Sequence, residues 1–438
     1  MKQESKYEQV VHYLKEEIES GKLQTGSRLP SIRKLSQDFH CSKDTVQRAL
    51  LELRYEKYIY SKPQSGYYVL EQQASHEDLV ISVNDEHAAA YDDFRLCVNE
   101  SLIGRENYLY NYYEHQEGLE ELRKSVQKLL FDQAIYSKPD QLVMTTGTQQ
   151  ALFILSQIDF PGKGQEILVE QPTYHRMNQL LLAQNIPYRT IERRVDGIDL
   201  KELEKHFKSG NIKFFYTIPR FHYPLGHSYS EEEKRAILDL AGKYQIYIVE
   251  DDYLGDLDPK MGQTFHYLDQ NDLVIYIKSF STSIFPALRI TALILPNVMK
   301  DAFVSYKNIL DYDNNLIMQK ALSLYIDSQL FEKNRVARLA LQEKSQDFIH
   351  RLLKSYPLSL PNYPLHDGLL LDLRNYPKIA SLKHSSLNLD FFESSYIETC
   401  PYQFAKVPLE NLETTLNYLK TESGTEIGNS LEFDFVVP

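Results

Sequence analysis

A series of short apolar runs constrains the fold of this 438-residue chain more than any other feature. Beyond about residue 90, such runs alternate with segments of helical periodicity. The clearest six read QLVMTT, EILVEQ, IKFFYTIP, IYIVEDDY, LVIYIKSF and ITALILP. Strands separated by helices predict an α/β fold with a mainly parallel sheet covered on both faces. Ligands bind at the carboxyl ends of the strands in such sheets, and the polar clusters fall there.

The first 70 residues have a different pattern. Apolar side chains recur at helical spacing over residues 7–21, and Ser31 stands near the start of a second helical segment. Ser42 is a suitable N-cap for a third helix. Gly66 suits the tip of a two-stranded hairpin that follows. Three helices and a hairpin predict a winged helix-turn-helix domain over residues 1–70.

In a winged helix-turn-helix domain, the last helix enters the major groove by its N-terminal end. Residues 42–48 are therefore the predicted base-reading segment, and the predicted partner is a double-stranded DNA operator. The segment offers Lys and Arg for guanine edges or phosphates, Gln for adenine and Thr for a thymine methyl.

Charge is unevenly distributed along the chain. Residues 1–70 carry 12 Lys and Arg against 9 Asp and Glu, whereas the remainder carries 36 against 52. An acidic body repels DNA, which would confine DNA contact to the first 70 residues. An excess of three positive charges is also small enough to arise by chance.

The N-terminal segments RLPSIRKL (28–35), SKDTVQRAL (42–50) and SGYYV (65–69) resemble the GntR family of bacterial regulators. The resemblance implies that DNA is contacted by Arg33, Lys43, Thr45 and Gly66 in particular. The full set predicted to contact DNA is Arg28, Ser31, Arg33, Ser42, Lys43, Thr45, Gln47, Arg48 and Gly66. The recognition helix of the family often has Arg where this chain has Lys43, so the operator sequence does not follow.

The second part of the chain carries polar motifs in a diagnostic order. They resemble those of fold-type I pyridoxal-phosphate aminotransferases: YYEHQEGLEELR (112–123), TTGTQQAL (145–152), VEQPTYHR (169–176), PRFHYPLG (219–226), VEDDYLGDL (249–257) and SFSTSIFPALR (279–289). With the N-terminal module, the whole chain resembles the MocR-type subfamily of GntR regulators. This resemblance implies a linker over 71–90, with polar residues at 71–79, and an aminotransferase-like effector and dimerisation domain over 91–438. The domain would have a large part at about 105–300 and a smaller α+β part at about 301–438.

The phosphate of pyridoxal phosphate needs a cradle of donors. By the resemblance, Gly147, Thr148 and Gln149 form a strand-to-helix turn that offers backbone N–H groups and a hydroxyl. Ser279 adds a second hydroxyl, and Arg289 adds the cation. These five residues form the predicted phosphate end of a cofactor site.

The pyridine ring needs other partners. Tyr174 matches the stacking residue, Asp251 the carboxylate that keeps the ring nitrogen protonated, and Tyr253 the group that bonds the 3-hydroxyl. Tyr113 matches the tyrosine that the neighbouring subunit contributes. The alternatives are that Asp251 caps a strand end and that Tyr174 belongs to the core.

Position 282 departs decisively from the family pattern. The family has Ser-Phe-Ser-Lys with an Arg seven residues after the lysine, whereas this chain reads Ser-Phe-Ser-Thr over 279–282 and has Arg289. A threonine hydroxyl cannot form the imine that the lysine forms with the cofactor. Lys278 is the alternative source of an amine. The resemblance therefore predicts no catalytic residue and, at best, non-covalent binding of pyridoxal phosphate.

Other departures point the same way. His222 stands where the family usually has Gln, and Leu225 where it has a small hydroxyl residue. The segment 400–407 aligns with a region that normally carries the arginine for the substrate carboxylate, and it holds none. Arg374, further upstream, is the remaining candidate. A site without imine former and carboxylate clamp is not expected to transaminate.

Three interpretations remain open. The chain is a regulator whose inactive domain senses a small ligand, a regulator whose domain is only a dimerisation scaffold, or a working aminotransferase. A homodimer is expected in the first two, because a symmetric dimer matches two operator half-sites. With no long apolar run, no leader and three scattered cysteines, the sequence predicts a cytoplasmic protein that contacts no membrane and holds no metal.

Overall fold

The computed structural model divides into two compact units, residues 1–80 and 81–438. It describes residues 6–20, 22–24, 26–55, 58–62, 66–69, 83–103, 107–110, 116–258, 262–311, 315–376, 389–397 and 404–426. Several sequence predictions lie outside the described residues: the polar linker 71–79, the partner-facing Tyr113, the first half (400–403) of the segment 400–407, and the tail 432–438.

The first unit has three helices and a hairpin, as predicted. Its elements are α1 Lys6–Glu19, α2 Ile32–Asp38, α3 Lys43–Tyr55, β1 Ile59–Lys62 and β2 Gly66–Val69. The two strands pair antiparallel, with Ile59 opposite Val69. Fully buried side chains from all three helices meet in one core, among them Leu14, Leu35 and Val46. The helical spacing of apolar residues thus becomes the inner face of each helix.

Side-chain caps fix where α2 and α3 begin. Ser31 Oγ accepts a hydrogen bond from the backbone N–H of Lys34 at 3.2 Å. Ser42 Oγ accepts one from the N–H of Thr45 at 3.1 Å. Each cap satisfies an N–H that the first helical turn leaves without an intrahelical partner. The start of the predicted reading helix is therefore defined by Ser42.

The second unit is built on a seven-stranded mixed sheet. Its strands are β3 Leu142–Thr145, β4 Glu166–Gln171, β5 Tyr188–Glu192, β6 Ile212–Thr217, β7 Tyr247–Asp251, β8 Val274–Ser279 and β9 Thr291–Ile294. Their order across the sheet is β3-β9-β8-β7-β6-β4-β5. Only β9 runs against the others, pairing antiparallel with β3 and β8. Six of these strands coincide with the six apolar runs of the sequence.

Helices cover the sheet on both faces. Those described before β10 are α4 Val83–Ser101, α5 Asn107–Tyr110, α6 Glu120–Asp132, α7 Gly147–Gln157, α8 His175–Ala183, α9 Leu200–Lys208, α10 Glu231–Tyr244, α11 Phe265–Leu268, α12 Asn297–Leu310, α13 Leu316–Asp327 and α14 Leu330–Ser355. Neighbouring strand residues face opposite cores: Val249 packs with α7 and α8, and Ile248 with α9 and α10. None of the described helices is long and apolar enough to cross a membrane.

A smaller antiparallel sheet follows α14. It consists of β10 Asn362–Leu365, β11 Gly368–Asp372 and β12 Phe404–Pro408, in that order, and the last described helix is α15 Leu412–Glu426. Leu369 and Leu371 of the central strand pack with Ile349 of α14 and Leu416 of α15. This is the α+β arrangement expected for the C-terminal part.

Two features differ from the sequence predictions. Helix α4 begins at Val83, inside the segment 71–90 expected to be linker. Its Ala90, Phe94 and Cys97 recur at helical spacing and are buried, with the Phe94 ring centroid 5.7 Å from that of Tyr325. The edge strand β5 was not predicted, because it is half-exposed and shows no continuous apolar run.

Candidate ligand cavity and DNA-binding surface

A cavity of about 290 Å³ opens at the carboxyl ends of the parallel strands. Its lining residues are Thr148, Tyr174, His175, Ile218, Tyr223, Asp251, Tyr253, Ser279, Ser281, Thr282 and Arg289. Six of these belong to the predicted cofactor-binding set. The strand ends bring them together, because Asp251 ends β7 and Ser279 ends β8, two neighbouring parallel strands.

One end of the cavity is built around Arg289. Helix α7 begins at Gly147, directly after β3. Gly147 has φ +77°, and a Cβ atom there would lie 2.6 Å from Arg289 Nη2. The same Nη2 donates to Gln149 Oε1 at 3.1 Å. Gly147 and Gln149 thus border the cavity through their contact with Arg289, although neither of them lines it.

Two hydroxyl groups stand at the same end. Ser279 is buried, and its Oγ accepts a hydrogen bond from the backbone N–H of Ser281 at 3.3 Å. Thr148 Oγ1 lies 3.4 Å from Thr291 Oγ1. Backbone N–H groups at the N-terminus of an eleven-residue helix, two hydroxyls and a guanidinium make this end suited to an anion.

Asp251, at the end of β7, also lines the cavity and is buried. Its Oδ2 accepts a hydrogen bond from Tyr216 Oη at 2.8 Å. Its Oδ1 is buried and has no hydrogen-bond partner in the part of the chain that the structure describes. Burial raises the pKa of Asp251 to about 7. Asp251 Oδ1 can therefore accept a hydrogen bond from a ligand in the cavity.

The two predicted aromatic partners, Tyr174 and Tyr253, also line the cavity. Tyr253 Oη donates to the backbone carbonyl of Phe221 at 3.0 Å. Tyr174 is half-buried directly before α8, and burial, together with the nearby Asp251, raises its pKa above the usual value. Tyr174 lines the cavity and also packs against the adjoining apolar core, so both alternatives for this residue apply.

A hydrogen bond to the loop that follows β7 positions the side chain of Thr282. Its Oγ1 donates to the carbonyl oxygen of Tyr253 at 2.6 Å. Lys278, by contrast, is fully buried, and its Nζ lies 2.6 Å from Asp256 Oδ2. That ammonium group holds the pKa of Asp256 below its usual range, although burial acts to raise it. Since successive strand residues face opposite sides, Lys278 points away from the cavity that Ser279 lines.

The other departures from the family pattern also have defined surroundings. His222 Nε2 lies 3.3 Å from Glu170 Oε2, and both side chains are fully buried. Leu225 is buried in an apolar cluster. Arg374 makes a two-pronged contact with Asp372, with Nη2 to Oδ2 at 2.7 Å, and does not line the cavity. The guanidinium of Arg374 is thus engaged by the carboxylate at the end of β11.

Sequence reasoning missed four lining residues: His175, Ile218, Tyr223 and Ser281. His175, Tyr223 and Ser281 lie within the motifs quoted above, and Ile218 directly precedes one of them, so the motifs themselves were the available signal. Ser281 is the most informative of the four. Its Oγ is buried and lacks a hydrogen-bond partner among the described residues.

The predicted DNA-contacting residues lie mostly on the surface of the first unit. Those with exposed side chains are Arg28, Ser31, Arg33, Ser42, Lys43, Gln47 and Arg48. Thr45 is half-buried and its Oγ1 lies 2.9 Å from Ser42 Oγ, so its hydroxyl is engaged in the cap. The Arg48 guanidinium lies 5.7 Å from the centroid of the Tyr7 ring, a cation–π contact with α1.

Gly66 begins the second strand of the hairpin. Its φ is +116°, a backbone conformation that favours glycine, and the Arg28 guanidinium lies against it. A Cβ at this position would stand 3.4 Å from Arg28 Nε. The side chain of Arg28 and the backbone of Gly66, at the start of β2, therefore lie next to each other.

Comparison with known proteins matches both units. Residues 6–69 match the family "Bacterial regulatory proteins, gntR family", and residues 100–368 match "Aminotransferase class I and II". The Bacillus subtilis protein named "Uncharacterized HTH-type transcriptional regulator YcxD" is 36% identical over 93% of this chain and 96% of its own length. A second B. subtilis protein so named, YisV, is 25% identical over 79% of each chain.

Solved structures agree on the fold of the second unit. The crystal structure of the Pyrococcus horikoshii kynurenine aminotransferase superposes with a TM-score of 0.66 at 22% identity, covering 76% of this chain and 87% of that one. At this identity the match establishes the fold alone. The chain belongs to the HTH-type transcriptional regulators in which a gntR-family DNA-binding domain is fused to an aminotransferase class I and II domain, the MocR-type arrangement.

Proposed function

We propose that the aminotransferase-like domain is a catalytically inactive sensor that binds a vitamin B6 phosphate without a covalent bond, and thereby controls operator binding by the N-terminal domain. One observation carries the proposal. Six predicted cofactor-binding residues line one cavity, and Thr282 lines it where the family's lysine would stand. The cavity thus contains both the carboxyl group expected at the ring nitrogen and the donors expected at the phosphate, which supports ligand binding over a purely structural role.

The residues present fit pyridoxal phosphate. Arg289, Ser279 and Thr148 would hold the phosphate, in a cradle that a side chain at Gly147 would fill. Asp251 Oδ1, which has no hydrogen-bond partner among the described residues, would accept a hydrogen bond from the protonated ring nitrogen. When bound, the cofactor supplies an aldehyde and an electron-withdrawing ring.

The same cavity argues against transamination. None of the described residues that line it is a lysine, and the hydroxyl of Thr282 cannot form an imine. Lys278 is held by Asp256 on the other side of the strand. Arg374 is paired with Asp372, so the described residues offer no clamp for a substrate carboxylate either. The domain would bind and orient its ligand without moving a proton or an amino group.

DNA recognition would rest on the first turns of α2 and α3. Arg33 and Lys43 are exposed there, and each follows a serine that caps its helix. A helix N-terminus together with a cation favours contacts to phosphates and to guanine edges. We assign base or phosphate contacts to Arg33 and Lys43, and we infer a homodimer that places two such surfaces on two half-sites.

The test is to purify the full chain, add excess pyridoxal phosphate and record its absorbance, its thermal unfolding and its mass after borohydride reduction. We expect a reversible rise in Tm, no visible band from a covalent bond, and no pyridoxyl mass on any residue from 270 to 290. A stoichiometric adduct on Lys278 would favour the enzyme interpretation instead. Absence of any shift with every B6 phosphate tried at millimolar concentration would favour a domain that only dimerises.

A further inference from the structure

The hydrogen-bonding groups of the cavity fall into two sets. Donors gather at the Arg289 end. Ser279 Oγ already accepts from the N–H of Ser281, so its own hydroxyl hydrogen is free to donate. Thr148 and the N-terminus of α7 stand beside it. This end suits the phosphate group of a ligand.

The end around Thr282 has the opposite character. Thr282 has one hydroxyl hydrogen, and it is committed to the Tyr253 carbonyl at 2.6 Å. The phenol hydrogen of Tyr253 is likewise committed, to the carbonyl of Phe221 at 3.0 Å. Both oxygens can therefore only accept a hydrogen bond from a ligand. Ser281 belongs to the donor end, because its backbone N–H binds Ser279 Oγ, and its buried Oγ, without a partner among the described residues, adds a hydroxyl donor there.

The charges of the lining residues agree with this division. Arg289 is the cation of the set, and it stands at the donor end. Burial, together with the neighbouring Arg176, lowers the pKa of His175 and so favours its neutral form. Asp251 supplies a carboxyl group, and Lys278 is paired with Asp256 outside the cavity. A positively charged ligand group at the Thr282 end would therefore meet acceptors and no like charge.

Resting on the proposed function, we propose that the cavity selects the amine form of the B6 phosphates, pyridoxamine 5′-phosphate, over the aldehyde form, pyridoxal 5′-phosphate. The oxygen of an aldehyde only accepts hydrogen bonds, so it faces Thr282 and Tyr253 without a donor. An aminomethyl group carries an ammonium, which donates charge-assisted bonds to these same oxygens. The domain then responds to the proportion of the amine form in the B6 phosphate pool.

The first experiment compares three ligands that differ only at position 4 of the ring, by calorimetry on the full chain. They are pyridoxamine 5′-phosphate, pyridoxal 5′-phosphate and 4-deoxypyridoxine 5′-phosphate, whose methyl group neither donates nor accepts. We expect the amine to bind at least tenfold more tightly than the methyl compound, a difference of about 1.4 kcal/mol. The aldehyde should bind no more tightly than the methyl compound, once adducts on surface lysines have been counted by borohydride reduction.

Two variants assign the preference to the acceptor end. Thr282→Val keeps the shape of the side chain and removes its oxygen, and it should lower the affinity for the amine at least fivefold without changing that for the methyl compound. Ser279→Ala, at the donor end, should weaken all three ligands alike. Unfolding curves of both variants establish that they remain folded.

The outcomes separate this inference from the proposed function. Binding of the aldehyde as tight as that of the amine overturns the inference and leaves a B6 phosphate sensor in place. The inference also fails if Thr282→Val weakens all three ligands equally. If none of the three ligands binds at millimolar concentration, both the inference and the proposed function are wrong.

Discussion

At Asp251, a charged carboxylate is expected to lower the stability of the ligand-free protein and to favour ligand binding. Its pKa is raised to about 7 by burial, so the folded ligand-free protein holds that proton more tightly than the unfolded chain does. The contribution of this group to stability therefore falls as pH rises from about 4 to 7, and the penalty is complete above 7. A ligand whose protonated ring nitrogen meets Oδ1 would remove that penalty.

Asp251→Asn should stabilise the ligand-free protein at pH 8, by at most roughly 4 kcal/mol, because three pKa units correspond to that free energy. The gain should vanish as the pH falls below about 4, where the carboxyl group becomes protonated in the unfolded state as well. The same variant should bind B6 phosphates at least tenfold more weakly. Urea unfolding at the two pH values and calorimetry at pH 8 measure these effects. A variant that is less stable at pH 8 but binds normally would exclude Asp251 from the ligand site.

Thr282→Lys should restore a covalent link to pyridoxal phosphate. Asp251, Tyr253, Tyr174 and Arg289 already line the cavity into which the new amine would project. We expect a visible absorption band on adding the cofactor, and a pyridoxyl mass at position 282 after borohydride reduction. Transamination should stay negligible. Correct positioning of the substrate through its carboxylate lowers the reaction barrier substantially, and the described lining residues include no group dedicated to that carboxylate.

The control for this variant is Thr282→Met, whose side chain has a similar length but no amine. It should remain colourless under the same conditions. If the lysine variant also stays colourless at millimolar cofactor while folded, the cavity has been remodelled beyond B6 binding. A ligand of another class, or a scaffold role, would then be the better explanation.

At the scale of elements, the start of α3 is where the capping serine and the predicted reading residues coincide. Arg33→Ala should cost about 1–3 kcal/mol of operator binding if this side chain reads a guanine. Lys43→Ala should reduce the salt dependence by about one unit of slope if it meets a phosphate. Lys22→Ala is the matched control, because Lys22 is exposed on the first unit and paired with Glu17 at 2.7 Å.

The measurement uses a DNA fragment selected from random sequence by the full chain, titrated at several salt concentrations. Loss of affinity in the first two variants, with Lys22→Ala unchanged, would support the assignment. A double variant of Arg33 and Lys43 that binds the fragment normally would mean that another surface reads the DNA. Arg48, which contacts the Tyr7 ring, is then a less direct candidate than Gln47.

Elements whose side chains are buried on both faces could be predicted from the sequence, because such strands read as continuous apolar runs. β7 and β8 are examples, and their ends place Asp251 and Ser279 in one cavity. The edge strand β5 could not, since four of its five side chains are half-exposed or exposed and form no continuous apolar run. Pairings between distant residues were also out of reach: nothing local to Lys278 indicates that Asp256 will hold it.

At the scale of the whole molecule, DNA reading and the cavity belong to separate compact units, 1–80 and 81–438. A ligand can alter DNA binding only if it binds two states of the protein with different affinity. A homodimer supplies such states, because two operator half-sites constrain how two subunits are arranged. We therefore expect the full chain to be a dimer at micromolar concentration by light scattering. A monomer under those conditions would contradict the proposed mode of operator recognition.

The resemblance also predicts that Tyr113, which lies outside the described residues, completes the cavity of the partner subunit. A mixed dimer of one Tyr113→Ala chain and one Arg289→Ala chain, isolated with two affinity tags, tests this. If Tyr113 acts across the interface, one of the two cavities keeps both an intact Arg289 and an intact Tyr113, and the mixed dimer binds one B6 phosphate per dimer tightly. If Tyr113 acts within its own subunit, both cavities are impaired and tight binding is lost. Calorimetric stoichiometry distinguishes the two cases, with the wild-type dimer expected to bind two ligands and each mutant homodimer none.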